Sequence, residues 1–374
     1  MSPVKPAAIP ELKVQLGQAL HRQITNHLRT LIYSGDLPAG AKLPRMHDLA
    51  AQWRTNYFTV HTALTALAQE GLLERKPRVG TFVRKKEKGL TSVGIYYGDE
   101  ILVKRERAFY RSVHSQLLAL LQRERIAARV FIDCRPRERQ REPLLELAES
   151  VQSGAIQGLI VPLVNHGMSW INLMPLPTSI FSGMRSAQSR IHVDYLEIIN
   201  MALEAFQRAG CRTVGLIHPD ARPSGKDNPD ENLPAAFRAS LDKFGLKTRK
   251  SWLRVPVLYQ DFQERYGYQE IHKLWSLAER PDGLFIYPEN VCRGAVLALL
   301  EKRVRVPEDL KLVLHKNERD EFLCPLAADW IVTHEKEIAE ALLQQIKDRF
   351  AGLEPRSYDI HQQFVPAAEA ASIF

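Results

Sequence analysis

Apolar residues at the amino-terminal end of the chain recur every three or four positions, which is the period of a helix with one buried face. The pattern runs over residues 13–34 and stops at Ser34-Gly35-Asp36, where a glycine is typical of a helix carboxyl terminus. It predicts a first helix whose apolar stripe consists of Leu16, Leu20, Ile24, Leu28 and Leu31.

Two shorter helices and a hairpin are predicted next. One helix spans residues 45–53, and another runs to Gln69 from Thr55 or Asn56, either of which can cap it. Two short strands, 72–75 and 80–83, flank a turn at residues 76–79. Helix, helix, helix, hairpin is the order of a winged helix-turn-helix. We therefore expect an α+β winged helix-turn-helix N-terminal domain over residues 1–84.

The pattern changes at Val93, where short apolar runs begin to alternate with helical stretches. Such alternation predicts a parallel sheet covered by helices on both faces. The length of the region 93–374 suits an α/β C-terminal region of two parallel-sheet subdomains around a cleft. Ligands bind such folds at the carboxyl ends of the strands. The predicted strands are 93–97, 128–132, 159–162, 178–181, 214–218, 253–257, 283–287 and 310–314.

The net charge of +8 is confined to one end of the chain. Residues 1–92 hold 14 Lys and Arg against 6 Asp and Glu, whereas residues 93–374 hold 37 of each sign. A local basic excess is typical of a module that neutralises phosphates, although a basic tail that only aids solubility would give the same count. The predicted wing and a basic linker over residues 85–92 contain the cluster Arg75, Lys76, Arg78, Arg84, Lys85, Lys86 and Lys88.

Other classes of protein find little support in the sequence. No apolar run is long enough to cross a bilayer, and the first ten residues lack the apolar stretch of a signal peptide, so we expect a cytoplasmic protein. The four cysteines lie far apart, so neither a disulfide nor a metal site is expected. Common catalytic motifs are absent, and we expect no catalytic residues and no cofactor.

The amino-terminal region resembles the GntR-type winged helix over about residues 12–84. The resemblance implies a dimer on a two-fold operator, with the last helix of the motif in the major groove and the wing glycine at the minor groove. The matching residues are 34–44, Leu49-Ala50, Thr59-Val60, Ala63-Leu64, Glu70-Gly71-Leu72 and 80–83.

The chain departs from this family where DNA is read. His47 occupies the place of a common DNA-reading arginine, and Thr55-Asn56-Tyr57 stands where the family often has Val-Ser-Arg. Asn56 and Thr59 can still bond phosphates or base edges, and Tyr57 can reach the backbone or a thymine methyl. The predicted DNA-binding residues are Lys42, Arg45, His47, Thr55, Asn56, Tyr57, Thr59, His61, Arg78, Gly80 and Thr81.

Residues 93–370 resemble the LacI-type effector domain, whose fold is similar to that of periplasmic sugar-binding proteins. The matching residues are Val193-Asp194, Ala209-Gly210, Asp282-Gly283 and Pro307-Glu308-Asp309. In sugar-sensing relatives an arginine, an asparagine and an aspartate bond the sugar hydroxyls. Alignment places Leu233, Pro288 and Lys316 there, and a shift of one residue would place Asn232, Glu289 and Asn317 instead.

The effector-binding residues follow from the strand ends and from this alignment. Asp194 can equally be the N-cap of the helix that follows it. The predicted set is Asp99, Phe109, Tyr110, Asp194, Asn232 and Glu289.

These features predict a homodimeric, sequence-specific DNA-binding transcription regulator, in the first place a repressor. A small molecule, a sugar or a sugar-like compound, is expected to close the cleft of the region 93–374 and so alter DNA binding. Loss of the usual sugar-bonding residues favours an alternative, in which this region is a ligand-independent dimerisation platform. An enzyme is a third hypothesis, without a catalytic constellation to support it.

Overall fold

A computed structural model describes residues 7, 9–10, 12, 19–77, 79–84, 89–102, 107–163, 168–181, 191–219, 232–256, 262–354 and 356–373. The predicted residues Leu16, Arg78, Lys85, Lys86 and Lys88 lie outside this part of the chain. The amino-terminal elements are α1 (Leu20–Ser34), α2 (Met46–Gln52), α3 (Tyr57–Gln69), β1 (Leu73–Lys76) and β2 (Gly80–Val83).

The amino-terminal elements form a small winged helix-turn-helix, which we call the head. The apolar stripe of α1 supplies Ile24 and Leu28, which are fully buried in one cluster with Val60 and Leu64 of α3. Strands β1 and β2 pair antiparallel and form the wing. The buried residue Leu73 opposes Val83, so β1 begins one residue later than predicted.

The carboxyl-terminal part alternates strands and helices, as predicted. The elements are β3 (Ser92–Tyr97), α4 (Ala108–Arg123), β4 (Ala127–Ile132), α5 (Leu145–Gln152), β5 (Leu159–Leu163), β6 (Thr178–Ile180), β7 (Ile191–Val193), α6 (Tyr195–Arg208), β8 (Val214–Ile217), α7 (Leu233–Ser240), β9 (Leu253–Arg254), α8 (Gln263–Trp275), β10 (Gly283–Ile286), α9 (Glu289–Glu301), β11 (Lys311–Asn317), β12 (Asp329–Thr333), α10 (Glu335–Phe350), β13 (Tyr358–Ile360), β14 (Gln362–Val365) and α11 (Ala367–Ile373).

These strands form two main sheets, which define two subdomains. The first subdomain has the parallel order β4-β3-β5-β6, and the second has the order β14-β12-β11-β10-β8-β9. The second sheet is parallel except at one edge, where β14 runs antiparallel to β12. The two parallel-sheet subdomains expected from the sequence are thus confirmed, and the antiparallel edge strand β14 is an addition that the sequence did not predict.

One strand boundary and several elements of this region also differ from the sequence expectation. The strand expected over 253–257 ends at Arg254. No strand or helix was predicted after residue 314, yet β12, α10, β13 and β14 lie there.

The chain passes repeatedly between the subdomains. Helix α10 follows a strand of the second sheet but packs on α4 of the first subdomain, where Ile346 lies against Gly158 at the start of β5. Strands β7 and β13 pair with each other outside both main sheets. Several connecting segments therefore join the subdomains, an arrangement that allows hinge motion about a fixed axis.

Helices α8 and α9 approach so closely that their contact requires glycine. A Cβ atom added to Gly294 would lie 1.8 Å from the carbonyl oxygen of Glu264, and one added to Gly267 would lie 2.1 Å from that of Val291. Backbone thus packs on backbone, which fixes the face of the second subdomain that carries Glu289 and Cys292 on α9.

Candidate DNA interface and effector cleft

Helix α3 has the position of a recognition helix and is held by its N-cap. Asn56 lies at the N-cap, and its Oδ1 accepts hydrogen bonds from the Thr59 backbone N–H (2.8 Å) and the Thr59 hydroxyl (2.9 Å). The amide oxygen that could have read a base edge is therefore engaged within the helix. Thr59 is engaged by the same bond, so both residues have a structural role in the described helix.

Three of the predicted DNA-binding residues lie side by side at the start of α3. The Tyr57 ring lies 4.9 Å from the His47 ring and 6.1 Å from the His61 ring, measured between centroids. His47 is exposed on α2, and His61 is half-buried one turn along α3. The structure thus joins two elements of the helix-turn-helix into one row of rings, with no guanidinium within it.

Phe58 is a functional candidate that sequence reasoning missed. Its side chain is 78% exposed, although it is a large apolar residue, and its ring contacts Tyr57 edge-on at 5.9 Å. The sequence did offer one indication of a role for Phe58, because it directly follows Thr55-Asn56-Tyr57, where the chain departs from the family.

The wing places one arginine against this helix, and two lysines lie over an aromatic ring of the wing. Arg75 on β1 donates to the Thr65 hydroxyl of α3 at 2.9 Å, and Lys42 and Lys76 lie 5.9 and 5.4 Å from the Phe82 ring. Gly80 has φ +138°, and a Cβ there would lie 2.9 Å from Cε of Lys42, so the wing tip requires glycine. Arg45 is exposed before α2, Thr55 is half-buried before α3, and Thr81 is half-buried on β2.

The first subdomain contributes aromatic residues and one ion pair near the carboxyl end of β3. The Asp99 carboxylate accepts from the Arg107 guanidinium, at 2.6 Å from Nη2 and 3.0 Å from Nε. At the start of α4 the Phe109 ring lies 5.1 Å from the Tyr110 ring and 6.2 Å from the Phe181 ring. Asp99 is thus bound within its own subdomain, while Phe109 and Tyr110 belong to a cluster of rings.

The second subdomain presents a matching group of rings around Tyr287, after β10. The Tyr287 ring lies 4.4 Å from His315, 5.9 Å from His218 and 6.4 Å from Tyr195. Burial raises the pKa of Tyr287 well above its ordinary value, and Tyr110 of the other subdomain contributes to the rise. Tyr110, at the start of α4, and Tyr287, after β10, pack against the same hydrophobic cluster, to which both subdomains contribute.

Two buried titratable residues lie beside Tyr287. Burial raises the pKa of Glu289 from 4.5 to about 7, assisted by Asp320 and opposed by a hydrogen bond with Asn317. Burial lowers the pKa of His315 from 6.5 to about 3. Nδ1 of His315 lies 3.7 Å from the Glu289 carboxylate, and Nε2 lies 2.8 Å from the Thr333 hydroxyl. Burial outweighs the attraction of this pair, so both groups are mainly neutral between about pH 3 and about pH 7.

Of the remaining effector predictions, two side chains cap helices. Asp194 Oδ1 accepts from the backbone N–H of Leu196 (2.9 Å) and Glu197 (3.1 Å) at the start of α6. Asn232 Oδ1 accepts from the Ala235 N–H at 2.9 Å at the start of α7. In the structure, Asp194 is thus the N-cap of α6, the alternative role that the sequence allowed for it. Lys316, at the end of β11, is buried, and burial lowers its pKa.

The head contacts the first subdomain directly. A cavity of about 620 Å³ lies between them, with Tyr33 and Arg84 of the head facing Gly154 and Leu173 of the first subdomain. Gly154, in the turn after α5, lies against the Glu70 carbonyl oxygen, 3.7 Å from an ideal Cβ position. A movement of the first subdomain can therefore reach the head without passing through the linker.

Within the described residues, no helix is both long and apolar enough to span a bilayer. The same part of the chain contains no group of three His, Cys, Asp or Glu residues arranged to hold a metal ion.

Comparisons with known proteins agree with the two-part architecture. Residues 20–83 match the family model of bacterial regulatory proteins, gntR family, and residues 203–359 match the periplasmic binding protein-like domain. The chain therefore joins a GntR-type winged helix-turn-helix to a LacI-type effector domain, as the sequence predicted.

Curated relatives match parts of the chain. The HTH-type transcriptional repressor PurR of Shigella dysenteriae is 25% identical over 139 residues, which are 37% of this chain and 40% of that protein. An uncharacterized HTH-type transcriptional regulator of Rhizobium meliloti is 40% identical over 74 residues, 20% of this chain and 30% of that protein. The chain spans well under two thirds of these relatives' length.

Solved structures match most of the chain in fold. A sugar-binding transcriptional regulator of the LacI family from Escherichia coli, complexed with phosphate, has a TM-score of 0.58 at 11% identity and covers 74% of this chain and 97% of its own. A LacI transcriptional regulator from a Rhodococcus species has a TM-score of 0.57 at 16% identity, covering 74% and 96%. At these identities the likeness establishes the fold.

Proposed function

We propose that this chain is a sequence-specific, DNA-binding transcription repressor whose operator affinity is set by a small molecule bound in the cleft between the two subdomains. It acts as a homodimer in the cytoplasm, where DNA is found. Its parts are a DNA-binding domain over 1–84, a basic linker over 85–92 and an effector and dimerisation domain over 93–374. The relatives are named as regulators, which supports a protein without catalysis.

The proposal is supported by a basic amino-terminal region combined with aromatic groups at the carboxyl ends of the strands of both subdomains. Residues 1–92 hold the whole charge excess, Arg75 of the wing contacts α3, and Lys42 and Lys76 lie over the Phe82 ring of the wing. Tyr110 and Tyr287 pack against one hydrophobic cluster, and we propose that they line opposite walls of the cleft. A compound between these walls would hold the subdomains together and so favour one arrangement of the heads.

The residues predicted to contact DNA or the effector are not equally well supported by the structure. For DNA, we propose that Lys42, Arg45, Arg78 and the wing residues Gly80 and Thr81 meet the backbone, and that His47, Tyr57 and His61 face the bases. For the effector, Phe109 and Tyr110 are the strongest candidates, because they present aromatic rings near the carboxyl end of β3. The side chains of Asp99, Asp194, Asn232 and Glu289 are weaker candidates, because each is already bonded within the protein.

Ligand binding is tested by thermal unfolding of the full chain with sugars, sugar phosphates and nucleosides. A compound that binds the folded protein at 100 times its Kd adds about 2.7 kcal/mol and raises Tm. Tyr110→Ala removes a ring from one wall and should abolish the rise. The exposed variant Leu297→Ala, on the outer side of α9, is the matched control and should keep it.

The side chains that cap helices α6 and α7 support a second candidate function. Two of the expected effector residues, Asp194 and Asn232, use a side-chain oxygen to cap a helix, which weakens the case for a sugar site. The region 93–374 would then be a ligand-independent dimerisation platform. Specific operator binding by a dimer whose Tm no compound changes would favour this second candidate.

A further inference from the structure

The outward face of α3 is centred on an exposed aromatic ring. The buried residues of the helix are Val60, Ala63, Leu64 and Leu67. At 100° per residue, Phe58 lies opposite this stripe, in line with Thr62, Thr65 and Gln69. With 78% of its side chain exposed, Phe58 is presented to whatever the recognition helix meets.

The hydroxyl groups of this face are turned back to the helix. The Thr62 hydroxyl donates to the Phe58 carbonyl at 2.9 Å, and the Thr65 hydroxyl donates to the His61 carbonyl at 2.7 Å. The Thr59 hydroxyl donates to Asn56. Their protons are therefore engaged in the described helix, and the first two turns of the face offer mainly a ring and methyl groups.

The ring of Phe58 is supported from the side. Tyr57 contacts it edge-on and is itself packed between His47 and His61. A supported ring loses little conformational freedom when it is buried, so it can contribute to both affinity and specificity.

We infer that Phe58 reads thymine through its 5-methyl group in the major groove, and that it thereby selects operators with thymine opposite the start of α3. This inference rests on the proposed function. The thymine methyl is the apolar feature of the major-groove base edges, and an aromatic ring is a suitable partner for it. The ring cannot bond a phosphate, and the proposed function already assigns that contact to basic residues of the head such as Lys42.

The experiment begins with selection of bound sequences from a random duplex library by the full-length protein. Each thymine of the selected site is then replaced by deoxyuridine, which removes only the methyl group. Wild type should lose about fourfold in affinity at one position per half-site, the effect of one buried carbon. Phe58→Ala should bind the thymine and deoxyuridine duplexes equally, whereas Phe58→Leu should keep part of the preference.

The matched control is Gln69→Ala, an exposed residue three turns further along the same face, which should keep the full thymine preference. Selection of a sequence whose thymines can all be replaced without loss would overturn the inference and leave the proposed function intact. A thymine preference that survives in Phe58→Ala would remove the assignment to Phe58. If no sequence is enriched, the proposed function itself fails, and the inference fails with it.

Discussion

Replacement of Glu289 by glutamine should make the protein more stable at alkaline pH and leave it unchanged in acid. Glu289 is 6% exposed at the start of α9, and burial raises its pKa from 4.5 to about 7. Because the folded protein holds this proton more tightly than the unfolded chain, the free energy of unfolding falls as pH rises from about 4.5 to about 7. Above pH 7 the loss is complete.

The size of the effect follows from the pKa change. A difference of one pKa unit corresponds to about 1.4 kcal/mol, so the shift of Glu289 corresponds to about 3 kcal/mol. Glutamine has the same shape and no charge. Glu289→Gln should therefore equal wild type near pH 4.5 and exceed it by up to about 3 kcal/mol at pH 8.

The contribution of His315 to the free energy of unfolding changes with pH in the opposite direction, so it must be separated from that of Glu289. Its pKa is lowered to about 3, so its contribution to stability is present above pH 6.5 and is lost as pH falls towards 3. The wild-type profile is the sum of both slopes and should be shallow. The difference between variant and wild type removes the His315 contribution and isolates Glu289.

The assay is urea unfolding of the full chain at a series of pH values between about 5 and about 8, with the transition of the second subdomain compared between proteins. Glu308→Gln, which changes an exposed carboxylate of the same subdomain, is the control and should give no pH-dependent difference. A difference for Glu289→Gln that is constant with pH, or a wild type more stable than the variant at pH 8, would refute the reasoning.

Three further predictions concern packing, capping and DNA affinity. Gly294→Ala should lower the free energy of unfolding by about 3 kcal/mol or more in urea, because the new methyl overlaps the Glu264 carbonyl; a loss below about 1 kcal/mol contradicts this. Asn56→Ala should cost the head about 1 kcal/mol in thermal unfolding, while Asn56→Ser keeps the cap; equal losses count against the cap. Lys76→Ala should reduce the salt slope of DNA binding by about 1, while the exposed Lys302→Ala leaves it unchanged.

The fold could be predicted from the sequence wherever the spacing of apolar residues agreed with the residues that typically begin and end helices and strands. The stripe containing Ile24 and Leu28 predicted α1 because each residue of it enters the core of the head. In β3, Ile95 and Tyr97 pack on one face of the sheet and Tyr96 packs on the other. Because residues on both faces are hydrophobic, the strand shows no alternation of apolar and polar residues and had to be recognised from its length. Strand β14 was missed because its edge position tolerates Gln362 and Gln363.

The site could be predicted only in part, because side chains with several physical uses look alike in a sequence. Asp194 and Asn232 had the chemistry of ligand contacts, but N-capping needs the same oxygen atoms, and only the structure shows how those atoms are used. Tyr287 was not among the predicted effector residues, since its ring partners His218 and His315 are distant in sequence. Phe58 was missed because an apolar residue in a helix is first assigned to the core.

The most direct test of the proposed regulator is the affinity of the full-length protein for its selected operator, measured across salt with and without a compound that raises Tm. The account predicts a steep salt dependence and a change in operator affinity of about 5- to 150-fold when the compound is bound, with the operator altering the affinity for the compound by the same factor. A compound that binds in the cleft and leaves operator affinity unchanged at every salt concentration would contradict the account.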